Sequence, residues 1–276
     1  MKHLTYILTS IVVLLSSCSS KATTEQINDT AETMKTKIDA IADSGYKYDS
    51  FTTESGRHVN IAFIKHGSLI VDIDNYLVYI DPVTIFGNDF SALPKADMIL
   101  VTHEHHDHFD KSAIEQLSGD STLLIESAHV AELFGLGDAI EPGDSLTIEI
   151  PEFSISAVPA YNISSDHLQF HPKDRKNIGF IFTIDGLRIY VAGDTEDIPE
   201  MGTLNDIDIA FLPVNQPYTM TPAQAINAVD MIKSARSASR QGKLIVYPYH
   251  YGETDLTPLV SHFKNSDIDI RIRQLQ

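Results

Sequence analysis

The amino-acid sequence predicts an α/β fold in which helices cover two paired β-sheets. Two successive runs of strand patterns are each followed by segments where helix and strand patterns alternate, an order typical of sheets covered by helices. No short sequence period repeats along the chain, which argues against a solenoid. Reactive residues follow the apolar strands, at the positions where α/β folds place their sites.

The composition is that of a globular protein with a strong acidic excess. The chain has 276 residues, of which 43% are hydrophobic and 21% are charged, and its formal net charge is -18. This length is sufficient to bury a sizeable core. Because a nucleic-acid surface needs basic patches, the charge argues against a nucleic-acid partner.

The N-terminal segment predicts an exported lipoprotein. The run MKHLTYILTSIVVLLSSC has a basic start and an apolar stretch from Leu4 to Leu15, which is typical of a secretory signal and short for a membrane span. Its end, LSSC, resembles the bacterial lipobox, so residues 1–17 are predicted to be removed and Cys18 to carry lipid. The alternative is a plain apolar signal with an incidental cysteine.

This interpretation predicts a lipid-anchored protein of the bacterial cell envelope, facing the periplasm. Ser19 follows the cysteine, which by analogy with known lipoproteins favours the outer over the inner membrane. No later segment has 18 consecutive apolar residues, so no other part is expected to span a membrane. Residues 18–44 would form a tether with an amphipathic helix over residues 25–43, which packs on the domain or acts as a stalk.

Residues 45–276 are predicted to form the folded domain, and strand patterns come first. Residues of high strand propensity, interrupted at Gly67 and Asn75, predict strands in HVNIAFIKHGSLIVDID and YLVYIDP. An apolar strand in DMILVTH leads into a histidine-rich turn. Helix patterns in KSAIEQLS and HVAELFG then flank a strand in STLLIES.

The second half has a similar order. Strands are predicted in DSLTIEI, FSISAVPA and DIAFLPV, and two strands in NIGFIFTIDGLRIYVAGD meet at Asp185-Gly186, a strong hairpin signal. The helix in TPAQAINAVDMIKSA has Thr221 as its cap, Pro222 in its first turn and Gln224 to complete a capping box. A strand in KLIVYPYHYG, a helix in DLTPLVSHFKN and a strand in DIDIRIRQL follow.

The stretch ILVTHEHHDHFD contains the densest group of reactive side chains. Its frame is His103-x-His105-x-Asp107-His108, and imidazole and carboxylate are the ligands that hydrolytic Zn²⁺ prefers. A loop after a buried strand can direct His103 and His105 to one metal ion and Asp107 and His108 to a second. The alternative is a solvated polar loop, for which such a concentration of histidines and acids is unusual.

The frame HxHxDH after an apolar strand resembles that of the metallo-β-lactamase superfamily, as do the lead-in ADMILVTHEHHDHFD and the preceding LVYIDP. In that family a bridging carboxylate follows a later strand, often within GDT, and a last histidine follows a further strand. Here RIYVAGDT supplies Asp194 and LIVYPYHYG supplies His250. The resemblance extends roughly from Arg57 onward and implies a four-layer αβ/βα sandwich with a dinuclear metal site.

Two divalent ions, zinc first and iron or manganese as alternatives, would hold a bridging water and lower its pKa. Asp194 would neutralise charge between the ions. Asp107 would ligate one ion and pass a proton near the leaving group. Each histidine ligand also needs an acceptor for its other ring nitrogen, and Asp81, Glu104 and Asp110 are candidates.

The sequence departs from the family pattern at one ligand. The family usually has a further histidine after Pro-Ala-x, where AVPAYNIS has Asn162, and an amide is a weak ligand for Zn²⁺. His167 and His171 are the nearest substitutes. His171 either replaces the missing ligand or hydrogen-bonds the substrate. Otherwise the first ion is weakly held, or the site works with one ion.

The same segment offers candidates for substrate binding. Tyr161, Asn162 and His171, with Lys173 and Arg175, would bind a polar or anionic group of the substrate, and the alternative is solvated loop charge. The motifs PAYN, GDT and PYHYG most resemble the branch of ascorbate-phosphate lactonase and the N-acyl phospholipid phosphodiesterase. That resemblance implies hydrolysis of a small-molecule lactone, ester or phosphodiester.

Other branches of the superfamily fit less well. Antibiotic hydrolases usually have cysteine or histidine at the position of Asp194, and diiron oxidoreductases have glutamate at that of His105 and need a flavin module. Nucleases need a basic surface. The competing hypothesis is a non-catalytic or mononuclear metal- or ligand-binding lipoprotein on the same fold, which the Asn162 departure favours.

Overall fold

The computed structural model describes residues 3–6 and 36–275, which form two β-sheets with helices on their outer sides. The largest apolar cluster fills the space between the sheets and includes the buried faces of the helices on the second sheet, and a second cluster lies under the helices of the first sheet. The predicted α/β sandwich is therefore confirmed. Cys18, the predicted cleavage point and most of the tether lie outside the described residues.

The first sheet has seven strands in the order β2-β3-β4-β5-β6-β7-β8. The pairs from β2 to β5 are antiparallel and those from β5 to β8 are parallel. Its strands are β2 (Lys47–Thr52), β3 (His58–Lys65), β4 (Ser68–Ile73), β5 (Tyr76–Ile80), β6 (Met98–Val101), β7 (Leu123–Ser127) and β8 (Asp138–Ile140). Its helices are α1 (Lys37–Asp43), α2 (Lys111–Leu117) and α3 (Ala128–Phe134).

The second sheet has eight strands in the order β1-β9-β10-β11-β12-β13-β14-β15. Its strands are β1 (His3–Tyr6), β9 (Ser145–Glu149), β10 (Glu152–Pro159), β11 (Ile178–Ile184), β12 (Leu187–Val191), β13 (Ile209–Pro213), β14 (Leu244–Tyr249) and β15 (Ile268–Ile270). The helices α4 (Pro222–Ser234) and α5 (Thr257–Phe263) belong to this half, and short 3₁₀ turns cover Lys173–Arg175 and Pro199–Thr203.

The side chains of the first sheet are buried on both of its faces. On β3, Val59 and Ile61 belong to the cluster between the sheets, whereas Ala62 and Ile64 belong to the cluster under the helices. Successive side chains of a strand point to opposite faces. A strand covered on both faces therefore reads as a continuous apolar run, as the sequence has here.

Two local predictions about connections are confirmed. Strands β11 and β12 pair as a hairpin across Asp185 and Gly186, both of which have positive φ. The side chain of Thr221 accepts a hydrogen bond from the backbone of Gln224, and the Gln224 side chain accepts one from the backbone of Thr221. This reciprocal capping box fixes the start of α4.

The predicted helix over residues 25–43 is wrong in its bounds. Thr36 is extended and caps the helix through a reciprocal pair of hydrogen bonds with Asp39, so the helix begins at Lys37. Ile38 and Ile41 are buried under the first sheet, and Lys37 pairs with Asp97 at 2.6 Å. Of the two alternatives, the described part of this helix packs on the domain.

The N-terminal segment also differs from the expectation that it lies outside the fold. The backbone of His3–Tyr6 pairs in parallel with that of Ser145–Ile148 on β9. An edge strand offers unpaired backbone groups, and an extended segment of the same chain satisfies them. Removal of residues 1–17 stays a prediction. Among residues 3–6 and 36–275, no helix is long and apolar enough to span a bilayer.

Strands β2 and β8 were not predicted. β2 has no fully buried side chain and β8 has only three residues, so neither has a clear hydrophobic pattern. β2 is nevertheless tied to the other half of the chain, because Asp49 accepts hydrogen bonds from the Tyr247 hydroxyl and the Arg273 guanidinium.

Candidate metal centre

The structure brings all seven predicted metal-binding side chains together at one edge of the sandwich. They come from the loop after β6, the segment before β11 and the ends of β12 and β14. His103, His108, His171, Asp194 and His250 are buried, with at most 3% of each residue exposed. Strands thus place the reactive groups at their ends, as α/β folds do.

Three histidines form the first group. His105 Nδ1 lies 3.2 Å from His103 Nε2 and 3.1 Å from His171 Nε2. Asp194 Oδ2 lies 3.4 Å from His171 Nε2 and 3.9 Å from His103 Nε2. The side chains of His103, His105 and His171 therefore converge on one point.

The second group shares Asp194 with the first. Asp194 Oδ1 lies 3.3 Å from His108 Nε2, and Asp194 Oδ2 lies 3.3 Å from His250 Nε2. Asp107 Oδ2 lies 3.3 Å from the same nitrogen of His250. The carboxylate of Asp194 thus stands between two sets of nitrogen and oxygen donors.

These side chains fit divalent metal ions. Within the described part of the chain, the buried His108 Nε2 and Asp194 Oδ1 have no hydrogen-bond partner, although buried polar atoms ordinarily have one. Two ligand atoms that bind one Zn²⁺ tetrahedrally at about 2.0 Å lie about 3.3 Å apart. The spacings in both groups lie within 0.2 Å of this value, except for the 3.9 Å between His103 Nε2 and Asp194 Oδ2.

Burial and neighbouring charges shift the pKa values of several side chains in the cluster. Burial of His108 opposes its charge, but the carboxylates of Asp194 and Asp81 raise the pKa of His108 well above its ordinary value. Burial of Asp194 opposes its ionisation, but His108 and His250 lower the pKa of Asp194 well below the usual range. Burial lowers the pKa of His103 and brings that of His171 to about 4. His103 and His171 are therefore neutral, as metal-binding imidazoles must be, whereas His108 carries a proton that a metal ion bound at its Nε2 would displace.

Of the three candidate acceptors, Asp81 alone hydrogen-bonds a predicted ligand: its Oδ2 lies 2.8 Å from His108 Nδ1. Asp110 instead caps α2 and binds Thr84. Glu104 pairs with Arg175, and its Oε1 is 3.9 Å from His105 Nε2, which is beyond a hydrogen bond.

The segment after β10 holds His171 without contacting the cluster otherwise. Asn162 donates its backbone N–H to the carbonyl of His171 at 2.8 Å and its side-chain amide to the carbonyl of Tyr218 at 2.8 Å. His167 lies outside both groups, with its Nδ1 3.0 Å from Glu196 Oε1. Asn162 therefore positions the loop, and His171, unlike His167, lies in the group with His103 and His105.

The other candidates for substrate contact are engaged elsewhere. The hydroxyl of Tyr161 hydrogen-bonds Glu200 and Lys173, and these three residues line a different depression from the metal cluster. Arg175 is paired with Glu104. Tyr161 does not line the cavity over the metal cluster, and its contact with substrate stays a prediction.

A cavity of about 450 Å³ opens over the cluster. His105, Asp107, His171, Asp194 and His250 form its floor, and Ile85, Phe86, Phe170 and Tyr218 form apolar walls. His66 and Asn215, which the sequence analysis did not select, also line it. The HisGly turn between two predicted strands was the available signal for His66.

A family model described as the beta-lactamase superfamily domain matches residues 60–236, more than half of the chain. The chain belongs to the metallo-β-lactamase superfamily. It is 31% identical over 199 residues to a UPF0173 metal-dependent hydrolase of Nanoarchaeum equitans, covering 70% of this chain and 84% of that protein. Such relatives make this protein a metal-dependent hydrolase of the superfamily.

Solved structures agree with the fold. A Parabacteroides distasonis protein described as a metal-dependent hydrolase is 48% identical, with a TM-score of 0.76 over 84% of this chain and 100% of that one. A metallo hydrolase of Ignicoccus hospitalis is 21% identical, with a TM-score of 0.62 over 79% of this chain and 95% of that one. The second likeness shows the fold alone.

Proposed function

We propose that this hydrolase uses two divalent ions, zinc first, to cleave a lactone, an ester or a phosphodiester of a small molecule. The observation that carries the proposal is the Asp194 carboxylate between two donor groups. His103, His105 and His171 would hold one ion, and Asp107, His108 and His250 the other, with Asp194 shared between them.

When bound, a pair of divalent ions supplies an acidified water and polarises the substrate oxygen. The protein's own groups supply orientation and proton transfer. Asp81 fixes His108 through its Nδ1 atom. Asp107 lies at the cavity wall with 22% of its side chain exposed, and we assign it the transfer of a proton towards the leaving group.

The cavity walls favour an uncharged ester or lactone with an apolar substituent. Ile85, Phe86, Phe170 and Tyr218 contribute carbon surface, and no lysine or arginine is among the described residues that line the cavity. An anionic phosphodiester would meet positive charge from the ions alone, whereas an apolar acyl or alkyl group gains from burial against these walls.

The non-catalytic or mononuclear hypothesis rested on Asn162, and the position of His171 removes that support. The two hypotheses are separated by metal content and turnover of the purified chain. We expect about two divalent ions per chain, hydrolysis of p-nitrophenyl butyrate or a γ-lactone, and loss of turnover in Asp107→Ala. His171→Ala should lower the metal content, whereas His262→Ala, which removes an exposed histidine of α5, should not.

A result of one ion or none per chain, with no turnover of any ester, lactone or phosphodiester offered, would support the binding-protein hypothesis. One ion per chain with turnover that Asp107→Ala abolishes would support a mononuclear enzyme. In both cases the shared role of Asp194 would be wrong.

We also propose that the mature enzyme is anchored by lipid at Cys18, with the outer membrane favoured. The lipobox-like LSSC supports this proposal. Radiolabelled fatty acid should be incorporated by the wild-type chain and not by Cys18→Ser. Equal labelling of the two chains, or none in either, would contradict it.

A further inference from the structure

The turn between β3 and β4 reaches into the metal cluster. His66, the first residue of this turn, has 8% of its surface exposed and a positive φ of 56°. Its carbonyl accepts a hydrogen bond from the backbone N–H of His250 at 3.2 Å. Positive φ is uncommon outside glycine and needs support from the surrounding structure, which this bond provides.

The ring of His66 faces the second donor group. Its Nε2 lies 3.1 Å from Asp107 Oδ2, and it offers a ligand atom within 4.8 Å of those of Asp107, His108 and His250. Its ring centroid is 3.7 Å from that of His250 and 4.5 Å from that of Phe86. Packing on both sides therefore fixes the direction of the ring.

Gly67 allows this approach. A Cβ atom at Gly67 would lie 2.6 Å from Cε1 of His108, closer than carbon atoms can pack. The backbone of the turn thus touches the ring of a predicted ligand. A turn that served only to reverse the chain would not need to be this close to the cluster.

The spacing of His66 matches that of the predicted ligands. The distance of 3.1 Å between His66 Nε2 and Asp107 Oδ2 is close to the 3.3 Å between His250 Nε2 and Asp107 Oδ2. Ligand atoms that share one metal ion are separated by about this distance. Asp107 Oδ2 therefore has two imidazole nitrogens placed in equivalent ways.

We propose that His66 is a protein ligand of the second metal position, together with Asp107, His108, His250 and the shared Asp194. This inference rests on the proposed dinuclear function. It adds the β3–β4 turn to the three segments, after β6, β12 and β14, that carry the other ligands of the second position. The competing role is a hydrogen bond from His66 to Asp107, which would position that carboxylate without binding metal.

The test uses the purified full chain loaded with Co²⁺, whose coordinated histidines give separate hyperfine-shifted N–H resonances in proton NMR. His66→Ala and His66→Gln are compared with wild type and with the exposed His262→Ala. Glutamine keeps an N–H that can donate to Asp107, and it is a poor metal ligand. Competition with a chelator gives the Kd of each ion, and circular dichroism of the metal-free variants checks that they fold.

We expect both His66 variants to lose one shifted N–H resonance and to raise the Kd of one of the two ions at least about tenfold. His262→Ala should leave both unchanged. If the wild type binds two ions, either of two results would overturn the ligand role of His66 and leave the dinuclear function intact. One is an unchanged number of shifted resonances in His66→Ala. The other is a Kd in His66→Gln that stays near the wild-type value. Fewer than two ions in wild type would overturn both.

If His66→Ala fails to fold, Gly67→Ala provides the second variant. The added methyl group must displace either the turn or the ring of His108, so the shifted N–H resonances should change while His66 itself is still present. An unchanged spectrum of Gly67→Ala would contradict the proposal.

Discussion

Asp81 Oδ2 lies 2.8 Å from Nδ1 of His108, and the same carboxylate accepts hydrogen bonds from the backbone and the hydroxyl of Thr102. Asp81 is buried, which raises its pKa against the opposing effect of His108. The contact directs Nε2 of His108 towards Asp194. Such outer contacts orient a ligand and increase its basicity.

Asp81→Asn should therefore weaken the second metal position. An amide keeps the shape but not the negative charge, so we expect the Kd of the ion at this position to rise about 10- to 100-fold. Chelator competition followed by mass spectrometry of bound metal measures this change.

The matched control is Asp110→Asn, which alters a neighbouring carboxylate that caps α2. Because asparagine caps a helix about as well as aspartate, this variant should keep the cap and leave metal affinity unchanged. Equal loss of metal in the two variants would contradict the distinction between them.

Glu196 should control the loop that carries His171. Its carboxylate is buried and accepts hydrogen bonds from the backbone N–H groups of Ile163 and Ser164. Against the opposing effect of burial, these bonds and His167 lower its pKa to about 2. Because the pKa is lowered on folding, the carboxylate stabilises the fold at neutral pH, and this contribution is lost as the pH falls from about 4.5 to about 2.

In metal-free protein, Glu196→Gln should lose about 3 kcal/mol of unfolding free energy at pH 7. The difference from wild type should shrink as the pH falls through that range, as measured by urea unfolding. Glu253→Gln, at an exposed position, serves as the control. A difference between Glu196→Gln and wild type that does not depend on pH would show that the pKa of Glu196 is not lowered.

The sequence predicted most of the site because its ligands follow strands. His103, Asp194 and His250 each come after an apolar run, and parallel strands bring their carboxyl ends to one edge. The turn residue His66 follows β3 at the same edge, but a single histidine before a glycine is common. The contact that distinguishes it, with Asp107, is between residues far apart in sequence.

The choice between His167 and His171 could not be made from sequence for the same reason. Both lie in one loop, and what separates them is their partners. Glu196 holds His167 away from the cluster, whereas the carbonyl of Tyr218 lies 3.1 Å from His171 Nδ1. These partners come from later segments of the chain, so local pattern does not reveal them.

Glycine at position 193 should be required for the placement of Asp194. Gly193 has a φ of +65°, and a Cβ there would lie 2.6 Å from the carbonyl oxygen of Ile178. Gly193→Ala therefore combines strained backbone with a clash against backbone that cannot move aside. We expect a loss of about 2–4 kcal/mol in unfolding free energy and a lower metal content.

Substitutions at two other glycines separate the effect of backbone strain from that of the clash. Gly186 has a φ of +81°, and a Cβ added there would meet no atom within 4 Å. Gly202 has an ordinary φ, and a Cβ added there would also meet no atom within 4 Å. We expect about 1 kcal/mol of destabilisation in the first, little in the second, and full metal content in both. Loss of metal in Gly186→Ala would show that general destabilisation, rather than the position of Asp194, governs metal binding.

The apolar walls of the cavity should set substrate preference. For p-nitrophenyl esters from acetate to hexanoate, each added CH₂ buried against Phe86 and Phe170 is worth up to about 0.8 kcal/mol, or about fourfold in kcat/KM. Phe170→Ala should flatten this dependence and change acetate hydrolysis little. Phe134→Ala removes an exposed aromatic ring that does not line the cavity and should keep the wild-type dependence. If the wild-type enzyme prefers acetate or hydrolyses only bis-p-nitrophenyl phosphate, the walls do not select an apolar ester.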